Sequence, residues 1–201
     1  MRTGVFGGSF DPVHNAHLAA AERAMRAAAL DRLLFMPVYA QPFKLGTGMS
    51  EGAYRMDMLR LALCVDDRFE AADTELARGG VSYTIDSLRA IRDGGARTGD
   101  IFFLLGADML LMLEKWHKAD ELLREFSFIA ARRPGKGNED LCACVEHLRL
   151  CYGTRVILMD NPPMDVSSSE IRRRVRTGES IEGLVPASVG EYIYAKGLYK
   201  P

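Results

Sequence analysis

Gly7-Gly8-Ser9-Phe10-Asp11-Pro12-Val13-His14-Asn15-Ala16-His17 is the stretch whose reading decides the fold. It follows a short apolar run at 3–6, which reads as a strand, and leads into the Ala-rich stretch 15–29, which reads as a helix. Two glycines at a strand-to-helix turn permit positive φ and let a phosphate approach the backbone closely. His14 and His17 stand three residues apart, so at the opening of a helix they share one face. Two imidazoles beside the free amides of a helix N-terminus make a donor-rich pocket suited to a phosphate. By themselves they read first as capping or surface histidines, with a metal pair, which lacks a third ligand at usable spacing, as a second alternative. The stretch is neither G-x-G-x-x-G nor G-x-x-x-x-G-K-[ST], and Gly46-x-Gly48 and Gly135-x-Gly137 complete neither pattern. A dinucleotide dehydrogenase and a P-loop kinase both lose their fingerprint.

Downstream of this turn, short apolar runs alternate with longer helical patterns. Strands are predicted at 33–37, 69–72, 101–105, 126–131 and 155–159. Helices are predicted at 51–64, 83–92, 114–124, 138–151, 168–176 and 186–196, with Ser82 placed to cap the second of them. The run 101–105 is almost continuously apolar, as in a central parallel strand covered on both faces. Such alternation implies right-handed crossovers and the α/β class, a Rossmann-like doubly wound parallel sheet in three α/β/α layers. Ligands in these sheets sit outside the carboxyl ends of the strands, so the informative residues should follow the strands.

The chain has 201 residues, and 26 Lys+Arg against 27 Asp+Glu give a formal net charge of -1. That length predicts one domain over 1–201, ending in a helical segment, 167–201. A domain of this size hides about 70% of its unfolded surface and needs neither disulfide nor metal to hold a core. A composition of 48% hydrophobic and 26% charged residues excludes a disordered tail, a collagen-like rod and a disulfide scaffold. The balanced charge argues against nucleic acid as a partner held by bulk electrostatics. The longest apolar stretch, 101–113, is interrupted by Asp108 and too short for a bilayer. With no signal-peptide pattern at the N-terminus, no membrane partner is expected. Cys64, Cys142, Cys144 and Cys151 form no C-x-x-C pair and read as free thiols of a reducing cytoplasm. Met109-Leu110-Leu111-Met112-Leu113 reads as core, and Asp11 and Asp165 as turn or capping acids. Oligomeric state stays open, a homo-oligomer included.

A second phosphate element lies far downstream in Val166-Ser167-Ser168-Ser169-Glu170-Ile171-Arg172. Ser167 with Glu170 fits a capping box. The same geometry gathers hydroxyls and free amides at a positive helix end, with Arg172 on its first turn.

Gly8-x-Phe10-Asp11-Pro12-x-His14-x-x-His17 resembles the signature of the nucleotidyltransferase superfamily of adenylyl- and cytidylyltransferases, with Ala16 where that pattern has Gly. The downstream element resembles the superfamily's second signature, Ile-Ser-x-Thr/Ser-x-x-Arg, in the right chain order. Two motifs this far apart argue against coincidence. Further stretches resemble one subfamily, nicotinate-nucleotide adenylyltransferase. They are Ser82-Tyr83-Thr84-Ile85-Asp86, Gly106-Ala107-Asp108, Trp116-His117 and Arg132-Arg133-Pro134-Gly135. The ending Gly183-Leu184-Val185-Pro186…Tyr192-Ile193…Leu198-Tyr199 extends the resemblance over essentially the whole chain.

The resemblance implies transfer of the adenylyl group of ATP to nicotinate mononucleotide, giving deamido-NAD and pyrophosphate in NAD biosynthesis. Nicotinamide mononucleotide or phosphopantetheine as acceptor, or a non-catalytic nucleotide-sensing module on the same fold, are the alternatives. It implies that His14, His17 and Arg172, with Lys44, stabilise charge on the phosphates. The implied ATP site is Gly8, Ser9, Phe10, His14, His17, Gly106, Asp108, Ser167, Ser169 and Arg172. The implied mononucleotide site is Lys44, Thr84, Trp116, His117 and Arg133. Lys44 stands in Gln41-Pro42-Phe43-Lys44, where the family usually reads Pro-Pro-His-Lys. Read on its own, Trp116 is core packing or a flat face for a pyridine ring, and Thr84 a cap or a carboxylate ligand. Asp108 suits ribose hydroxyls, and Arg133 is a surface charge or a phosphate ligand. No motif suggests an activated nucleophile, and in-line transfer needs positioning and charge neutralisation more than covalent help. Mg²⁺ is expected to bind mainly through ATP and water, with no protein metal site.

Overall fold

The computed structural model describes residues 1–39, 49–94, 99–132, 138–160, 164 and 166–200; Lys44, Arg133 and Asp165 lie outside them. Six strands, β1 (Thr3–Gly8), β2 (Arg32–Pro37), β3 (Phe69–Ala71), β4 (Ile101–Gly106), β5 (Ser127–Arg132) and β6 (Val156–Asp160), form one sheet in the order β3-β2-β1-β4-β5-β6. All pairings are parallel. The helices are α1 (Asn15–Ala28), α2 (Gly52–Leu63), α3 (Thr74–Arg78), α4 (Thr84–Asp93), α5 (Ala107–Leu110), α6 (Ala119–Glu125), α7 (Asn138–Tyr152), α8 (Ser168–Thr177) and α9 (Ala187–Ala195).

Period-two side chains explain why the strands read as unbroken apolar runs. On β4, Phe102 and Leu104 enter one core, while Ile101, Phe103 and Leu105 enter the other. The first core is completed by α1, α2, α8 and α9 through Met25, Leu59, Ile171 and Ile193. The second is completed by α4, α6 and α7 through Leu88, Leu122 and Leu148. Helices therefore cover both faces, which is the expected three-layer, doubly wound arrangement.

Three local expectations are corrected. Ser82 does not cap α4. Tyr83 occupies the N-cap, and the Ser82 hydroxyl is buried with no partner among the described residues. Burial of Ile85, Leu88 and Ile91 fixes the helix register and leaves Ser82 one place too early to cap. The helix predicted at 114–124 is broken: Leu113–Lys115 forms a 3-10 turn, Lys118 sits at φ 52, and α6 begins only at Ala119. Trp116 turns extended there and packs against the second core, so tertiary packing overrides helical propensity. The Met-rich run is not uniformly core. Met109, Leu111 and Met112 are 47%, 48% and 42% exposed, and only Leu110 and Leu113, one helical turn apart, face inward. Helices α3 and α5 span five and four residues, too few for periodicity to reveal. Among the described residues no helix is long and apolar enough to cross a membrane.

Candidate active site

β1 and β4 lie side by side at the centre of the sheet, and the chain leaves them for opposite halves. That is the topological switch point, where the carboxyl ends of the strands open a crevice. The first turn follows β1, and Gly106-Ala107-Asp108 follows β4, so both expected ATP-binding segments border it. Gly106 has open space where a Cβ would stand, and Asp108 is exposed on the first turn of α5.

The backbone of the first turn departs from expectation. Phe10, at φ 46, takes the left-handed conformation, and neither Gly7 nor Gly8 does. Instead the glycines make room: a Cβ on Gly7 would lie 3.1 Å from the Phe103 ring, and one on Gly8 3.0 Å from the Phe10 ring. The left-handed residue costs about 1–2 kcal/mol. It also drives the Phe10 ring to 0% exposure, a burial worth about 1.5–3 kcal/mol that offsets the strain. The ring lies 5.3 Å from Phe6 and 5.0 Å from His17, both edge to face.

His14 and His17 do share a face. Their rings stack at 3.6 Å with 18° between planes. The backbone N–H of His14 donates to Nδ1 of His17 at 3.3 Å, which assigns the His17 proton to Nε2 and makes that atom a donor. His14 is 5% exposed, and its Nδ1 has no partner among the described residues. Burial pushes the His14 pKa down to about 4. It pushes His17 well below the ordinary range, with His14 alongside adding to the effect. Both rings are therefore neutral at pH 7, each with one N–H to donate.

The downstream element is seated directly on this turn. Ser168 Oγ donates to the carbonyl of Pro12 at 2.9 Å, and Arg172 Nη1 donates to the carbonyl of Asp11 at 2.7 Å, across 161 residues of sequence. Arg172 Nη2 also donates to Ser169 Oγ at 3.3 Å. Ser167 is the N-cap of α8 and accepts the Glu170 amide at 3.2 Å. Only this half of the anticipated capping box forms. The Glu170 carboxylate turns to Arg173 and Arg174, whose bonds hold its pKa at about 2. Asn15 ties the turn to the C-terminal region, donating its backbone N–H to Leu184 O and its side chain to Gly183 O.

Of the residues expected to hold the mononucleotide, Thr84 opens α4, and the Tyr83 ring before it stacks on His117 at 4.1 Å. Trp116 is half-buried with its edge toward Phe103 at 6.2 Å, the same ring that fills the space beside Gly7. The stack brings His117 beside the start of α4, where Thr84 stands, and Trp116 is linked through Phe103 to the first turn. Lys44 and Arg133, expected on the phosphates, are outside the described residues. Arg55, buried to 2% exposure, was not legible as a site residue. Its only signal was a cation at helical spacing with Met58, Leu59 and Ala62 on the apolar stripe of α2.

The chain belongs to the cytidylyltransferase-like family, whose model matches residues 5–174. It is 37% identical to the probable nicotinate-nucleotide adenylyltransferase of Moorella thermoacetica, an alignment covering 100% of this chain and 92% of that protein. It is 35% identical to the nicotinate-nucleotide adenylyltransferase of Bacillus subtilis, covering 99% and 98%. The fold is similar to that of the Plasmodium falciparum nicotinic acid mononucleotide adenylyltransferase solved in complex with APC. That match has a TM-score of 0.78 at 19% identity and covers 98% of this chain and 96% of the other.

Proposed function

We propose that the protein transfers the adenylyl group of ATP to nicotinate mononucleotide, yielding deamido-NAD and pyrophosphate for NAD biosynthesis. The observation that carries this reading is the seating of Ser168 and Arg172 on the carbonyls of Pro12 and Asp11, beside the stacked histidines. Two helix N-termini, two imidazole N–H donors and one guanidinium converge there, which is chemistry for a polyphosphate. Full-length similarity to nicotinate-nucleotide adenylyltransferases supports the choice of acceptor.

In this reading the 5′-phosphate oxygen of the mononucleotide attacks the α-phosphorus of ATP in line. The bond from that phosphorus to the bridging oxygen breaks, and the electron pair leaves with pyrophosphate. His14, His17 and Arg172 stabilise the charge on the α-phosphate and the leaving group, with Lys44 assisting. The backbone of Gly8, Ser9 and Phe10 and the α8 start at Ser167 and Ser169 cradle the triphosphate, while Gly106 and Asp108 receive the ribose. Trp116 and His117 offer ring faces to the pyridine, Thr84 its hydroxyl to the carboxylate, and Arg133 and Lys44 their charge to the acceptor phosphate.

Among the described residues no group of three or more His, Cys, Asp or Glu side chains is placed to hold a metal. The imidazole N–H groups, the helix starts and Arg172 at the first turn suit anions, so Mg²⁺ would be held by triphosphate oxygens and water. Bound there, it would supply charge neutralisation for the departing phosphates. We place the reaction in the cytoplasm, a reading that the four free thiols support.

The test is incubation of purified protein with ATP, Mg²⁺ and each acceptor separately, following pyrophosphate and identifying the product. Release with nicotinate mononucleotide alone is expected. Equal use of nicotinamide mononucleotide would make the enzyme dual-specific, and no release with any acceptor would favour a sensor.

A further inference from the structure

Arg55 heads the fully buried side chains by volume, and the chemistry above does not use it. A guanidinium so far from water is tolerated only when its N–H groups are satisfied. Here Nε donates to Ser50 O at 3.0 Å, and Nη1 donates to Ser9 O at 2.9 Å and Val38 O at 2.8 Å. These carbonyls come from three separate places. Ser9 lies in the first turn, Val38 follows β2, and Ser50 precedes α2. Val38 and Ser50 also stand two residues before and two residues after the segment 40–48 that carries Lys44.

A second set of bonds closes the same frame. Val38 donates its N–H to Gly8 O at 2.9 Å. Asp11 Oδ2 accepts the Ser50 amide at 3.1 Å, and Oδ1 accepts the Tyr199 hydroxyl at 2.7 Å. The backbone carbonyl of Asp11 accepts Arg172, so its main chain binds α8 while its side chain binds Ser50 and Tyr199. Asp11, expected to be a turn or capping acid, is a tertiary clasp, 2% exposed.

We propose that Arg55 is a positioning residue for adenylyl transfer, holding the first turn and both flanks of the Lys44 segment in one frame that Asp11 and Tyr199 complete. This rests on the reading of the first turn as the triphosphate cradle. An apolar residue would fill the α2 stripe without desolvating a charge. What the guanidinium adds is a planar fork that addresses three carbonyls at once, which neither an apolar chain nor an ammonium reproduces.

The test compares wild type with Arg55→Lys, which keeps a buried cation and loses the fork. Steady-state kinetics is read beside amide hydrogen exchange, which needs no turnover. In Arg55→Lys with wild-type near-UV circular dichroism, kcat should fall about 10–100-fold, the loss that misplacement of reacting groups produces. KM for nicotinate mononucleotide should rise by a smaller factor than kcat falls, since of the acceptor residues only Lys44 is carried by the frame, while Thr84, Trp116 and His117 stand on other segments. Exchange should accelerate in peptides spanning 8–13 and 49–54 and stay unchanged in those from β5 and α7. Should Arg55→Lys fail to fold, Tyr199→Phe, which removes one donor to Asp11, must show the same pattern at smaller amplitude. Unchanged exchange in 8–13, or acceleration spread equally into β5 and α7, overturns the frame. Wild-type protein that releases no pyrophosphate overturns the functional reading alone, because the exchange result still decides the frame.

Discussion

Lowering the pH from 7 to 5 challenges the stacked histidines before it challenges the carboxylates. Burial holds the native His14 pKa at about 4, against 6.5 in a model side chain. Below pH 6.5 the unfolded chain therefore takes up a proton that the native protein resists, and stability falls. The contribution is complete above about pH 7 and fully lost only below about pH 4. A gap of about 2.5 in pKa is worth about 3 kcal/mol at its limit, of which about 2 kcal/mol falls between pH 7 and pH 5. His17, depressed by the same burial, adds in the same direction. Asp66, Glu170 and Glu179 are held at about 2 by arginine partners, so their stabilisation is lost mainly below pH 4.5 and leaves this window clear. Urea unfolding at pH 7, 6 and 5 measures the effect. Wild type should lose at least about 2 kcal/mol across the range, and His14→Gln should lose about 2 kcal/mol less, whatever its absolute stability. Parallel pH profiles for the two proteins would refute the assignment of a buried, neutral His14.

His17→Ala should lower turnover by about three orders of magnitude with modest change in acceptor affinity, measured as kcat and KM for nicotinate mononucleotide. Trp116→Ala should do the reverse, raising that KM with a smaller change in kcat, because it removes a ring face and leaves the phosphate cradle intact. Arg172→Lys keeps the charge and loses the paired contacts to Asp11 O and Ser169 Oγ, so kcat should fall at least about tenfold. Ser167→Ala removes the side-chain N-cap of α8 and should cost about 1 kcal/mol in urea unfolding; no change would mean that the helix start is held wholly by Ser168 and Arg172.

Hydrophobic pattern alone carried the α/β class and the strand–helix alternation, and it directed the search for a candidate site to the segments after the strands. These depend on local periodicity, which a linear chain displays. The pairing of His14 with His17 was legible for the same reason, since three residues on a helix bring two side chains to one face. Tertiary structure decided what rests on contacts between distant segments. The break at Lys118 exists because Trp116 packs against the core. The neutrality of the histidines comes from burial beside Phe10, whose left-handed backbone no motif announced. The seat of Arg172 on Asp11 O, and the Arg55 frame joining Ser9, Val38 and Ser50, are bonds to backbone carbonyls. Every residue carries such a carbonyl, so no residue identity marks the partner, and only the folded chain selects it.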